Sequence, residues 1–119
     1  MASATLEAER APESIDPASI LGTLPHPVVA LDREDRVAFA NVPAQSFFQA
    51  GAAVLRRNRL ADLVPFGSPV LSLVAQVRER LASVSEYGVD LGTPKIGGQR
   101  LADIQVAPIL EQPGHILIL

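Results

Sequence analysis

Apolar positions along the chain recur in two rhythms, one of three to four residues and one of two, and each marks a different class of element. Near the start, Ile20, Leu21 and Leu24 form a one-sided stripe behind Asp16 and Pro17. An aspartate accepts hydrogen bonds from the free amides of a first helical turn, and proline suits the first helical position. The pattern predicts a short amphipathic helix of two turns, with Ile15 stapled onto Ile20 and with Pro25 and Pro27 forbidding continuation. Its apolar face covers either the domain's own sheet or a second copy of the chain, and the pattern does not choose between them.

Two strand-like runs follow, PVVALD (27–32) and RVAFAN (36–41), separated by Arg33, Glu34 and Asp35. So short a connection makes them antiparallel neighbours. Asn41 then caps a helix that carries Phe47 and Phe48 inward and is expected to end at Gly51. The stretch 55–65 reads as a loop with one helical turn. Ser68 and Pro69 open the strongest helix signal, in which Val70, Val74, Val77, Leu81 and Val84 recur at steps of four and three and keep one face dry. At EYGVDL the period switches to two, placing Tyr87, Val89 and Leu91 on one face of a strand. A turn-rich stretch GTPKIGGQ, a strand with Ala102, Ile104 and Val106 on one face, the turn EQPG and the run HILIL complete the chain. The order predicts five antiparallel strands with helices on one face, an α+β layer; a doubly wound parallel sheet needs strict alternation of strands and helices.

Composition narrows what such a domain does. At 119 residues the chain holds one core, and 48% hydrophobic against 19% charged residues provides enough apolar surface to pack it. Residues 1–14 are expected to be a loose leading segment and 15–119 the folded domain. A net charge of -3 argues against a general nucleic-acid binder, which must neutralise many phosphates. The absence of cysteine removes disulfides, thiolate metal sites, a cysteine nucleophile and a cysteinyl-flavin adduct. No run approaches the ~18 apolar residues of a membrane helix or the length of a secretion signal, so a cytoplasmic chain without membrane contact is expected. Four aliphatic residues at the very end predict that Leu119 lies inside or just after a strand of a longer parent.

Few residues carry candidate chemistry. His26, between two prolines, and His115 are too isolated for metal-ligand spacing. Asp90 and Asp103 are placed to face each other across neighbouring strands, with Arg100 as a partner, but no nucleophile, oxyanion donor or metal accompanies them; a small stand-alone α+β enzyme is therefore a rival reading without a catalytic constellation. Gly97 and Gly98 lack the lysine and helix of a phosphate loop and read as a hairpin turn. Arg56, Arg57 and Arg59 concentrate three of ten basic charges within four residues. They are either a solvated loop or a docking patch, for an acidic partner or for the rest of a longer parent.

At this point a resemblance enters. ILGTLPHPVVALDREDRVAFAN is similar to the start of a PAS domain: cap helix, two strands, an acidic turn and an asparagine that opens the next helix. LPHPV, FFQAGAAVLRRNRLADLVPFGSPVLSLVAQVRER and SEYGVDLGTPKIGGQRLADIQVAP resemble, more narrowly, the sensory domain of nitrogen-regulation sensor histidine kinases of the NtrB type, from about Ile20 onward. Asp35 stands where that family usually carries glycine and must occupy or avoid a left-handed conformation. Pro43 and Gln45 replace the usual alanine and glutamate, so a capping contact through that glutamate does not carry over.

The resemblance implies a regulatory, non-catalytic module at the start of a dimeric cytoplasmic kinase. The parent would phosphorylate a response regulator and receive its signal through a PII-type protein; this chain has no phosphoacceptor-histidine box and no nucleotide-binding boxes. Ile20, Leu21 and Leu24 are then the expected dimer surface. Phe39, Phe47, Phe48, Leu63, Leu91, Ile104 and Val106 are expected to line the space between sheet and helices, where PAS domains hold small ligands. Interiors normally pack to crystal-like density, so a close-packed core without a cofactor is expected; a ligand-sensing domain with an interior cavity is the rival. Haem is disfavoured because 68–84 contains no histidine.

Overall fold

The computed structural model of the chain describes residues 14–92 and 101–118. The leading segment up to residue 13, the Gly97–Gly98 turn, the proposed Arg100 partnership and Leu119 lie outside the described residues.

Helix α1 (Pro17–Thr23) starts as its sequence demands: the Ala18 amide donates to Asp16 Oδ1 at 3.1 Å and Pro17 occupies the first turn. Leu24 is not part of the helix but its extended C-cap. Strands β1 (Val29–Leu31) and β2 (Val37–Ala40) form the expected antiparallel hairpin, with a register shift that gives β2 one extra residue. Asp35 takes the left-handed conformation in its turn, at φ 64°.

Helix α2 (Val42–Phe48) is capped by Asn41, but it does not end at Gly51. Gln49 adopts the left-handed terminus at φ 56°, and Gly51 instead is the N-cap of α3 (Ala52–Leu55). A second single-turn helix, α4 (Leu60–Leu63), follows within the stretch 55–65, read as a loop with one helical turn.

Helix α5 (Pro69–Arg80) buries Val70, Val74 and Val77, as the spacing predicts. It stops earlier than the periodicity implies. Leu81 sits at φ 56° with 59% of its surface exposed, its amide closing onto the Val77 carbonyl, and Val84 already opens a strand. The stripe continued in sequence because β3 buries its own face; a left-handed leucine is invisible to an apolar-periodicity count. Each buried valine contributes about 1.5–3 kcal/mol relative to exposure, so packing more than intrinsic propensity holds α5 in place.

Strands β3 (Val84–Asp90), β4 (Leu101–Pro108) and β5 (Ile116–Ile118) complete a five-stranded sheet in the order β2–β1–β5–β4–β3, each neighbouring pair antiparallel. Register aligns Ala40, Val29, Ile118, Val106 and Val84 in one row across all five strands. Most of that row belongs to the core, against which α5 packs from β3 to β5. The alternate row, Phe39–Ala30–Leu117–Ala107, lies on the other face and is half-buried. In β3 the register slips between Glu86 and Val89 around Gly88, at φ 66°. That bulge breaks the expected alternation: Val89 and Leu91 are buried, but Tyr87 is 77% exposed.

Candidate functional site

A cavity of about 460 Å³ lies between the sheet and helices α2, α4 and α5. Val29, Ile118, Ala102, Ile104 and Leu91 contribute to its sheet side, and Phe47, Phe48, Leu60, Val64 and Val70 to its helical side. The two phenylalanine rings meet edge to face, centroids 5.0 Å apart. His26, Ser85, Tyr87, Asp103 and Gln105 add polar groups to the lining. Ser85, Tyr87, Asp103 and Gln105 in the lining are exposed, so the cavity is open to solvent and borders the buried core.

Of the seven residues expected to line this space, the structure brings Phe47, Phe48, Leu91 and Ile104 to it. Phe39 is paired with Ala30 on the opposite face of the sheet. Val106 is fully buried in solid core, and Leu63 packs on the core while its neighbours Leu60 and Val64 take the lining position. Asp90 and Asp103 do not face each other. The β3 bulge sets Asp90 opposite Leu101, and the two carboxylates accept from backbone amides instead, Asp90 from Gly92 at 2.9 Å and Asp103 from Gly88 at 3.0 Å. Among the described residues no group of three or more His, Cys, Asp or Glu side chains is placed to hold a metal ion, and no helix is long and apolar enough to cross a membrane.

Among the described residues, Asn41, 3% exposed, is held by five side-chain hydrogen bonds. Its Oδ1 accepts from the Ala44 amide at 3.0 Å, capping α2, and from the Val28 amide at 2.9 Å, fixing the entry to β1. Its Nδ2 donates to the carbonyls of His26, Leu21 and Leu24, at 2.9, 3.3 and 3.4 Å. One amide thus joins four segments, two of which, the 26–27 connection and α2, also border the cavity. The capping role is legible in sequence; the donor role depends on a tertiary approach and carries no local signal.

Helix α1 hangs from this knot. None of its residues is buried, Ile15 and Ile20 expose 67% and 50% of their surface, and Leu21 and Leu24 are half-buried. Among the described residues, Asn41 supplies the hydrogen bonds that tie residues 16–24 to the rest of the domain. Ile15 and Ile20, expected to be stapled together, both remain exposed.

At the far end of the sheet, two hairpin turns are locked to α5. Arg78 donates to the carbonyls of Gly114 and Asp32, at 3.1 and 3.4 Å, and pairs with the Asp35 carboxylate at 2.6 Å. Arg33 donates through Nε to the Pro113 carbonyl at 2.9 Å. Burial raises the Asp32 carboxyl, yet the amides of Glu34 and Arg36 and the nearby Arg36 and His115 outweigh it, holding its pKa below the usual aspartate value. Arg56, Arg57 and Arg59 are exposed on the α3–α4 connection. Arg36 joins them through an antiparallel bridge to Arg59 and through a bond from its guanidinium to the Arg57 carbonyl at 3.3 Å.

Comparison with known proteins agrees with this architecture. The model of the PAS fold matches residues 16–119. The sensory histidine kinase/phosphatase NtrB of Rhizobium meliloti (strain 1021) is 48% identical over 100 residues, which is 84% of this chain and 26% of that protein. The protein of the same name from Azospirillum brasilense is 36% identical over 104 residues, 87% of this chain and 26% of its own length. The chain therefore spans about a quarter of these relatives. The crystal structure of the PAS domain of nitrogen regulation protein NR(II) from Vibrio parahaemolyticus superposes with a TM-score of 0.74 at 20% identity, covering 88% of this chain and 95% of that one.

Proposed function

The chain belongs to the PAS-fold family, and from that premise we propose that it is the sensory and dimerisation domain of a cytoplasmic two-component nitrogen-regulation histidine kinase. It acts by relaying contacts and not by transforming a substrate. The kinase core, a response regulator and a PII-type signal protein are partners of the longer parent; the similarity to sensory histidine kinase/phosphatase NtrB supports this context.

The observation that carries the reading is α1: an amphipathic helix with no buried residue, presenting Ile15 and Ile20 outward. Two such faces brought together remove apolar surface from water at about 25 cal/mol per Å². Because Asn41 ties α1 to both the entry of β1 and the start of α2, a shift of either wall of the cavity changes the angle at which α1 meets its counterpart. Ile20→Glu places a charge on that face and leaves the Asn41 contacts intact. In sedimentation velocity the unaltered chain is expected as a dimer and the variant as a monomer; a dimer unaffected by the substitution excludes α1 from the interface.

A second reading, a small-molecule sensor, is favoured by the cavity itself. Its volume falls within the range that encloses small ligands, and its lining is apolar with a few polar groups. Native mass spectrometry of the purified chain distinguishes the two: a stoichiometric bound molecule supports the sensor, and a bare mass supports the contact relay.

A further inference from the structure

We propose that the surface formed by Arg36, Arg56, Arg57 and Arg59 is a docking site for a protein partner bearing spaced carboxylates. Sequence places the last three together; folding adds Arg36. The Val37 amide donates to the Asn58 carbonyl at 3.1 Å and the Leu60 amide to the Asp35 carbonyl at 2.8 Å, zipping the α3–α4 connection onto the β1–β2 hairpin. Four of the ten basic residues of a chain with net charge -3 thereby gather in one region.

Among the described residues, none of these four guanidinium groups pairs with a carboxylate; the ion pair found nearby is Arg78 with Asp35. Arg36 is nevertheless oriented by the Arg57 carbonyl, whereas Arg33 turns away to the Pro113 carbonyl. A fork held in place by backbone loses less freedom when it grips a carboxylate with two parallel bonds. Asp32, Glu34, Asp35 and Asp62 stand among the arginines, Asp35 being paired with Arg78. That alternation of sign repels a uniformly anionic polymer such as nucleic acid, but suits a protein surface on which carboxylates alternate with neutral groups.

The test is fluorescence anisotropy of the full chain with a labelled peptide of alternating glutamate and serine, about 20 residues long, at about 50 and about 200 mM salt. Binding at low salt that weakens as salt rises is expected. Reversing Arg56, Arg57 and Arg59 to glutamate weakens it at least about tenfold, and Arg36→Lys, which keeps the charge and loses the fork, weakens it by a smaller factor. Arg56→Glu against Arg80→Glu compares one charge change inside the surface with the same change on the exposed end of α5. Among the described residues the Arg56 side chain holds no hydrogen bond, so the fold tolerates that change. The proposal is overturned by no binding at low salt, by equal weakening in both single variants, or by tighter binding of a DNA duplex of similar length. Self-association that disappears in the triple variant also overturns it, since the occupant would then be a second copy.

Discussion

At Asn41 a single side chain performs two separable tasks. Its oxygen caps α2 and secures β1, and its NH2 group holds the carbonyls at the end of α1. Asn41→Ala removes both, losing an N-cap and stranding buried backbone groups, and should cost about 2–4 kcal/mol in chemical denaturation. Asn41→Asp keeps the acceptor bonds and sets a carboxylate against three carbonyls. Hydrogen exchange of the α1 amides should then accelerate while those of β1 and α5 stay protected. Equal acceleration throughout would show that the amide holds the fold and does not specifically tether α1. The capping half was readable because asparagine before Val42-Pro43 has a local meaning. The tethering half arises from residues 15–20 positions away, which no local pattern reports.

Among the elements, strands and helices whose apolar spacing matches their geometry were predictable: the β1–β2 hairpin, α5 up to Val77 and the alternation of β4. Failures gather where backbone geometry departs from the residue type that usually marks it. Gln49 and Leu81 terminate helices in a left-handed conformation without being glycine, and Gly51 begins a helix where it was expected to end one. Gly88 lies inside a strand and creates a bulge, turning Tyr87 outward and separating Asp90 from Asp103. The β4–β5 turn obeys the usual rule. Gly114, at φ 86°, leaves no room for a side chain, since a Cβ there would lie 2.7 Å from Arg33 Cγ. Gly114→Ala should therefore destabilise by about 1–2 kcal/mol, combining left-handed strain with displacement of Arg33 from the Pro113 carbonyl. Thermal unfolding should show a midpoint lower by several degrees; an unchanged midpoint would mean that the turn relaxes freely and does not lock β5 to the hairpin.

For the molecule as a whole, the α+β layer, with its hairpin and its three-strand meander, follows from short connections between strands, and that much was legible; the pairing of β1 with β5, which fixes the sheet order, joins distant segments and was not. The cavity was not, because its existence depends on the width left between layers after α2, α4 and α5 have packed. Sequence pointed to Ile20 as an outward position, but not to the half-burial of Leu21 and Leu24 or to the hydrogen bonds that hold α1. Dimerisation through that face is the central claim, and the chain offers a clean way to test it because it contains no cysteine. Oxidative cross-linking of Ile20→Cys, compared with Leu110→Cys on the exposed β4–β5 turn, reads proximity between copies directly. The account predicts a disulfide-linked dimer for Ile20→Cys and none for Leu110→Cys; cross-linking at Leu110 with none at Ile20 would contradict it.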